Sequence, residues 1–423
     1  MRVRKTSRRT SLTHRHLSLT SLEQMNLKQV RKYILMIWKL KVALRSSPLP
    51  IEVRQVHDAL VGVYLSVKFT DQDRNRTRTN DHHHVTIEEI SDSDCRTRYL
   101  FTKEQLVRLH KALRLDRWPE VKLDNGSKFG SEEIMLIGLH RFVFPQRFCD
   151  MTSIYGRDWS ALNRAFNWFC KYMRIHFSHL IYDNCEYWKP EFEYFAECVR
   201  KKVEEKSDGN IRFDPGSYCV FGFVDDTVIK TTRPGGGPCE EGPNAARFNT
   251  LIQMAFYSGY KKHHGIKYQT LELPNGLCMD AFGPCSFRQN DLEVLGLSNL
   301  NNRLADLNDV GGKQYKTYCD GIFPVLSHML SKHIGATTRE QRYENGIMTK
   351  IRIGNEWAYG ITGNLFSLIN WSYGLRLRQN REHANYFAVA TILRNAHCCL
   401  NGSNISQYFN CYPPSLENYF GIE

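Results

Sequence analysis

Tyr218-Cys219-Val220-Phe221-Gly222-Phe223-Val224-Asp225-Asp226-Thr227 is the stretch on which the fold turns. Its first seven residues are aromatic, β-branched or small, which suits an extended strand. It ends in two carboxylates. Asp226 taken alone reads as a turn residue, and most single Asp or Glu side chains are solvated groups or caps. The position of the pair at a strand end is what gives it interest.

Downstream, residues 233–243 hold four Gly and three Pro and read as a loop. Strands follow around Ile266–Leu273 and Leu277–Phe282, joined by Pro274-Asn275-Gly276, a strong hairpin signal. Next come a helix around Arg288–Leu295 and a strand, about Gln314–Cys319, that ends in Asp320. A helix is expected to begin near Glu356, with Trp357, Ile361, Leu365 and Leu368 as its stripe, and a last helix to span Tyr386–Leu400. The order predicts an α/β domain with a mixed sheet flanked by helices. Strand ends in such a sheet converge on one edge. Asp225 and Asp320 could meet there, with Glu356 swinging in.

Three carboxylates at one place have a chemical use. Phosphodiester cleavage must stabilise charge on the attacking and the leaving oxygen, and two divalent ions about 3.5–4 Å apart do this. Mg²⁺ prefers hard oxygen ligands. Without metal the three would repel one another.

Upstream, Thr102 is a plausible helix N-cap with Gln105 at the capping-box position, and Leu106, Leu109 and Leu113 form a stripe. A second helix runs from about Ser131 to near Pro145. A long one runs from about Trp159 to His179, with Leu162, Phe166, Phe169, Met173 and Phe177 on its apolar face. Helix, short helix, Gly156, helix is a helix-turn-helix layout. Arg164, Lys171 and Arg174 on the polar face suit DNA phosphates, or a solvated face of a plain helical bundle. Residues 71–98, which include His82-His83-His84, read as a polar linker. The expected division is a basic tail (1–20), a helical segment and linker (21–98), a helix-turn-helix-like domain (99–205), a catalytic domain (216–402) and a C-terminal tail (403–423).

The formal net charge of +13 over 423 residues points to a polyanion, and nucleic acid fits better than a membrane. No apolar run approaches the roughly 20 residues of a membrane span. Thirteen cysteines without a CxxC pair read as reduced intracellular thiols. Arg2, Arg4, Lys5, Arg8 and Arg9 form a basic N-terminus without the apolar core of a secretory signal. It reads as a nuclear address, a DNA-contacting arm or a mitochondrial presequence, and the nucleus is the expected location.

Five segments together resemble the Harbinger-type DDE transposases and their domesticated nuclease relatives. They are Gly222–Thr227; Tyr257-Ser258-Gly259-Tyr260-Lys261-Lys262-His263-His264-Gly265-Ile266-Lys267-Tyr268-Gln269, the most specific; Gly283-Pro284 through Arg288-Gln289-Asn290-Asp291; Tyr318–Pro324; and Asn355–Gly360. Thirty-five residues separate Asp320 from Glu356, which suits the family pattern. The resemblance covers roughly residues 100–400. It implies an RNase H-like core behind a helix-turn-helix, and cutting and joining of DNA strands at transposon ends with two Mg²⁺ or Mn²⁺ ions. Asp225, Asp320 and Glu356 carry over as catalytic metal ligands, with Asp291 in support. Asp226, Cys319 and Asn290 depart from the family pattern. Lys261, Lys262, His263 and Lys267 are candidate phosphate contacts. Expected partners are double-stranded DNA, a Myb-like accessory protein and a second copy of the chain. The alternative is a noncatalytic DNA-binding scaffold descended from a transposase.

Overall fold

The computed structural model describes residues 84–207, 219–234, 251–306, 312–371, 375 and 385–422. The basic tail, the helical stretches expected within 21–68, the first part of the 71–98 linker and the loop beyond Pro234 lie outside the described residues. The chain divides into two compact units, 1–80 with 124–126 and 81–123 with 127–423. Of the first, only the turn 124–126 is described. The second carries the helices and the sheet.

That unit opens with helices α1 (Asp92–Tyr99) and α2 (Lys103–Ala112), then a hairpin of β1 (Glu120–Lys122) and β2 (Lys128–Gly130). Helices α3 (Ser131–Val143), α4 (Phe148–Tyr155), α5 (Trp159–Phe177), α6 (Cys185–Trp188) and α7 (Phe192–Lys206) follow. Thr102 and Gln105 form the expected capping box at the start of α2. The sheet is built from β3 (Val220–Lys230), β4 (Tyr257–Ser258), β5 (His263–Glu272), β6 (Cys278–Ser286), β7 (Lys316–Cys319) and β8 (Met329–Leu330). Between and after the strands lie α8 (Asp291–Ser298), α9 (Leu300–Asp306), α10 (Arg339–Leu365), α11 (Tyr386–Asn401), α12 (Asn404–Phe409) and α13 (Leu416–Phe420).

The sheet is mixed, as expected. β3 lies between β5, antiparallel to it, and β7, parallel to it. β6 and β4 pair with the far edge of β5, and β8 extends the parallel side. Val220 to Val224 are buried without alternation, which a strand covered on both faces requires. Gly222 sits where a Cβ would stand 2.8 Å from Leu271 Cδ2 and 3.0 Å from the Glu272 carbonyl oxygen. At the β5–β6 turn Gly276 has φ +85°, a left-handed conformation that glycine adopts without strain.

Strand alternation assigns the helices to faces. Asp225 pairs with Thr270, and Asp226 with Gln269. On the first face Thr270 bonds Tyr359 of α10 at 2.8 Å, and the Tyr268 ring lies 4.5 Å from Phe387 of α11. On the second face Gln269 accepts a 2.7 Å hydrogen bond from Ser298 of α8.

Five expectations need correction. The strand expected to end in Asp225 and Asp226 runs on to Lys230, paired with β5 throughout, so both carboxylates lie in its middle. The helix placed near Glu356 begins at Arg339 on the N-cap Thr338, so Glu356 lies well inside it. Residues 99–205 do form the predicted helices, but an independent helix-turn-helix domain ahead of the core is not supported. The α5 stripe is buried against the sheet-bearing half: Phe166 lies 5.3 Å from Tyr386, and Phe142 lies 5.7 Å from the same ring and 6.2 Å from Phe366. Within the described part of the 71–98 linker, Ser91 caps α1, which buries Cys95 and Tyr99, and His84 pairs with buried Glu133 at 2.8 Å. Finally, the expected C-terminal tail is two capped helices. Ile405, Phe409, Leu416, Tyr419 and Phe420 are buried, and Asn395 donates to Tyr419 Oη at 2.9 Å.

Every cysteine among the described residues is free. No described helix is long and apolar enough to cross a membrane.

Candidate active site

The site begins where β3 and β7 run side by side. Phe223 pairs with Tyr318 and Val224 with Cys319, so the next residues along each strand are Asp225 and Asp320. Alternation puts both on the face that α10 covers. Arg352 of α10 joins them: its Nη1 donates to Asp225 Oδ2 at 2.8 Å, and its Nη2 lies 3.4 Å from Asp320 Oδ1. Asp225 Oδ1 accepts the backbone N–H of Asp226 at 2.9 Å. Burial pushes the Asp225 carboxyl above its usual range, and the Arg352 guanidinium opposes that shift. Cys319, the departure beside Asp320, is fully buried, and burial lifts its thiol to about 12. It is a neutral thiol rather than a thiolate ligand.

Glu356 stands on α10 four residues beyond Arg352, so the two lie on one helix face. Its side chain is exposed. Asp225 and Asp320 are brought together, and Glu356 is not joined to them. Among the described residues no three His, Cys, Asp or Glu groups form a metal-ligand set.

Asp226 faces the other way and belongs to a second cluster. Lys267 Nζ lies 2.6 Å from Asp291 Oδ1 and 3.8 Å from Asp226 Oδ2. Gln269 Nε2 donates to Asp226 Oδ1 at 3.3 Å. Burial first, then the neighbouring Asp291 charge, lifts the Asp226 carboxyl to about 8, while Lys267 opposes the rise. Two expectations fall here. Asp291 lies across the sheet from Asp225 and Asp320, so it does not support that pair. Lys267 is only 7% exposed and engaged by carboxylates, so it is not a free phosphate contact. The cause is register: Lys267 lies opposite Val228, on the Asp226 face.

The remaining candidate nucleic-acid residues divide by exposure. Lys261 and Lys262 are exposed at the β4–β5 turn. Lys262 has φ +59° and donates its N–H to the Ser258 carbonyl at 2.8 Å. Tyr260 beside them is 92% exposed. His263 is half-buried and stacks on Phe287 at 5.1 Å. On α5, Lys171 is exposed, whereas Arg164 and Arg174 are half-buried.

Arg352 is the residue of the candidate site that sequence reasoning missed. The clue available was its position four residues before Glu356, which on any helix shares a face with it.

Residues 224–395 match the family model described as DDE superfamily endonuclease. The matched stretch contains Asp225, Asp320, Arg352 and Glu356. No curated protein and no solved structure matches the chain.

Proposed function

Taking the match to the DDE superfamily endonuclease as premise, we propose that this chain is a transposase-type nuclease of the Harbinger kind that cuts and joins DNA strands at transposon ends. The observation that carries the reading is the carboxylate pair on neighbouring strands: Asp225 in the middle of β3 and Asp320 just past the end of β7 share one face and together hold a single cationic group. That is a test of fit for a divalent ion. The donors are hard oxygens, two side chains already converge on one positive charge, and Asp225 is fixed by the central strand β3. Asp225 and Asp320 would hold the metal, with Glu356 as the third carboxylate supplied by α10. Bound Mg²⁺ or Mn²⁺ would stabilise charge on the attacking and leaving oxygens of a phosphodiester.

The chain's own parts divide the remaining work. The sheet fixes the two aspartates. Lys261 and Lys262 are exposed on the β4–β5 hairpin, which supports a role for them in meeting a phosphate backbone. The basic balance of the chain and its Arg-rich first residues support action on double-stranded DNA in the nucleus. Two ends must be held for joining, which favours a homodimer, and a Myb-like protein is the expected accessory.

The test is nicking of a labelled transposon-end duplex with Mn²⁺. Wild type should cut, and Asp225→Asn or Asp320→Asn should no longer nick the duplex while still binding DNA. The second reading, a noncatalytic DNA-binding scaffold, is favoured by Arg352 neutralising the pair. It predicts that wild type binds the duplex and never nicks it.

A further inference from the structure

One guanidinium bridges two carboxylates that would otherwise repel. Its contact on Asp225 is to Oδ2, and Oδ1 of that side chain is already engaged by the Asp226 N–H. Arg352 thus holds the Asp225 oxygen that the Asp226 N–H leaves open. We propose that Arg352 is the resting counter-ion of the Asp225–Asp320 pair, that a divalent cation binds there only by displacing it, and that Arg352 thereby sets the metal affinity of the site. The inference rests on the nuclease reading above.

The two faces of β3 supply a comparison. On the far face Lys267 bridges Asp226 and Asp291 in the same manner. There the side chains of Lys267 and Asp226 are 9% and 5% exposed and that of Asp291 is 27% exposed, against 15% and 19% for Arg352 and Asp225. On the near face Asp320 is 43% exposed, so solvent and a metal ion reach one end of the Arg352 bridge directly. The near cation is exchangeable and the far one is structural.

The mode of exchange follows from what holds α10. Tyr359 bonds Thr270 at 2.8 Å, and Arg394 of α11 lies 3.4 Å from both the Ala358 carbonyl and Thr362 Oγ1. These contacts pin α10 beyond Glu356. Arg352 leaves by rotation of its long side chain, not by a slide of the helix. A guanidinium does not fit between the carboxylates together with a divalent ion, because two cations at contact distance repel.

The test measures metal directly. Mn²⁺ affinity would be determined by calorimetry, and thermal stability in EDTA and in Mn²⁺, for wild type, Arg352→Gln and Arg352→Lys. Removal of a positive charge in contact with the pair should tighten Mn²⁺ binding by roughly tenfold or more in Arg352→Gln. The same variant should melt below wild type in EDTA and regain most of the loss in Mn²⁺. Arg352→Lys keeps the charge without the two-pronged bridge and should fall between them. Arg352→Gln binding Mn²⁺ no tighter than wild type overturns the inference, and if that variant fails to fold, the same comparison with Arg352→Lys decides it. Wild type that binds Mn²⁺ and nicks DNA alongside such a result leaves the nuclease reading standing and removes only the role of Arg352. If no variant binds Mn²⁺ and none nicks, both fall.

Discussion

Replacement of Arg394 by Met would remove the strut behind the candidate site. The Arg394 side chain, on α11, is 3% exposed and its partner Glu272, at the end of β5, is 2% exposed. Nη2 donates to Glu272 Oε2 at 2.8 Å and to Asn395 Oδ1 at 3.1 Å, while Nη1 lies 3.3 Å from Glu272 Oε1. With the contacts to Ala358 and Thr362, one guanidinium ties together β5, α10 and α11. Met fills much of the space but strands the Glu272 carboxylate without a counter-charge. Removal of one partner from a buried pair costs about 3–5 kcal/mol. In a unit of 81–123 with 127–423 that is a fall in Tm of roughly 4–7 °C. Arg394→Met with Glu272→Leu removes both charges and should recover most of the loss. Urea and thermal melts of wild type, the two single variants and the double variant measure it. A single-variant cost below about 1 kcal/mol, or a double variant no better than Arg394→Met, would refute the strut.

Two further outcomes are expected. Lys261→Gln with Lys262→Gln should lower the slope of log Kd for duplex DNA against log salt by about 2, whereas Lys267→Gln should cost stability and leave the slope unchanged; an unaltered slope in the hairpin double variant removes the hairpin from the DNA interface. The second concerns His140, 2% exposed, whose ring is within 3.2 Å of Tyr155 Oη. Burial, reinforced by Arg98 and Arg141 and opposed by Asp94, pushes its pKa down to about 4. Between pH 6.5 and about 4 the unfolded chain then holds the extra proton, so stability is full above 6.5 and falls on acidification, by at most about 3 kcal/mol from this group. His140→Gln should flatten the pH dependence of the urea midpoint over that interval, and an unchanged slope would show that His140 is not its source.

The strand that carries Asp225, the β5–β6 hairpin and the strand that leads to Asp320 were all legible, because each carries a local signal: a β-rich run, a Pro-Asn-Gly turn, an Asp at a boundary; the end of the first was not, since β3 runs on to Lys230. The true start of α10 was legible too and was missed. Thr338-Arg339-Glu340-Gln341 has the capping-box spacing, and the Thr338 side chain does accept the Gln341 N–H. Gly346 and Gly354 and the sparse apolar positions disguised the helix. Period-two alternation, applied to Asp225 and Asp226, already separates them onto opposite faces. The partners could not be read. That Arg352 meets Asp225, and Lys267 meets Asp291, depends on register and on where helices cross the sheet, which no local pattern encodes. The helical half failed differently: its stripes were found, but not that they would be spent on Tyr386 and Phe366 as well as on one another.

Adjacent aspartates that face opposite ways also bear on how β3 finds its alignment. A slip of one residue would turn every side chain to the other face. Asp226 would then meet Arg352 and Asp225 would meet Lys267, so each carboxylate would still find a positive partner. Charge cannot tell the two alignments apart. Gly222 can. A Cβ in the space it occupies would crowd Leu271 and the Glu272 carbonyl unless they shift, and a slip would drive Phe221 or Phe223 into it. A single missing side chain thus acts as the key that rejects a mispaired sheet whose ion pairs would otherwise pass as native.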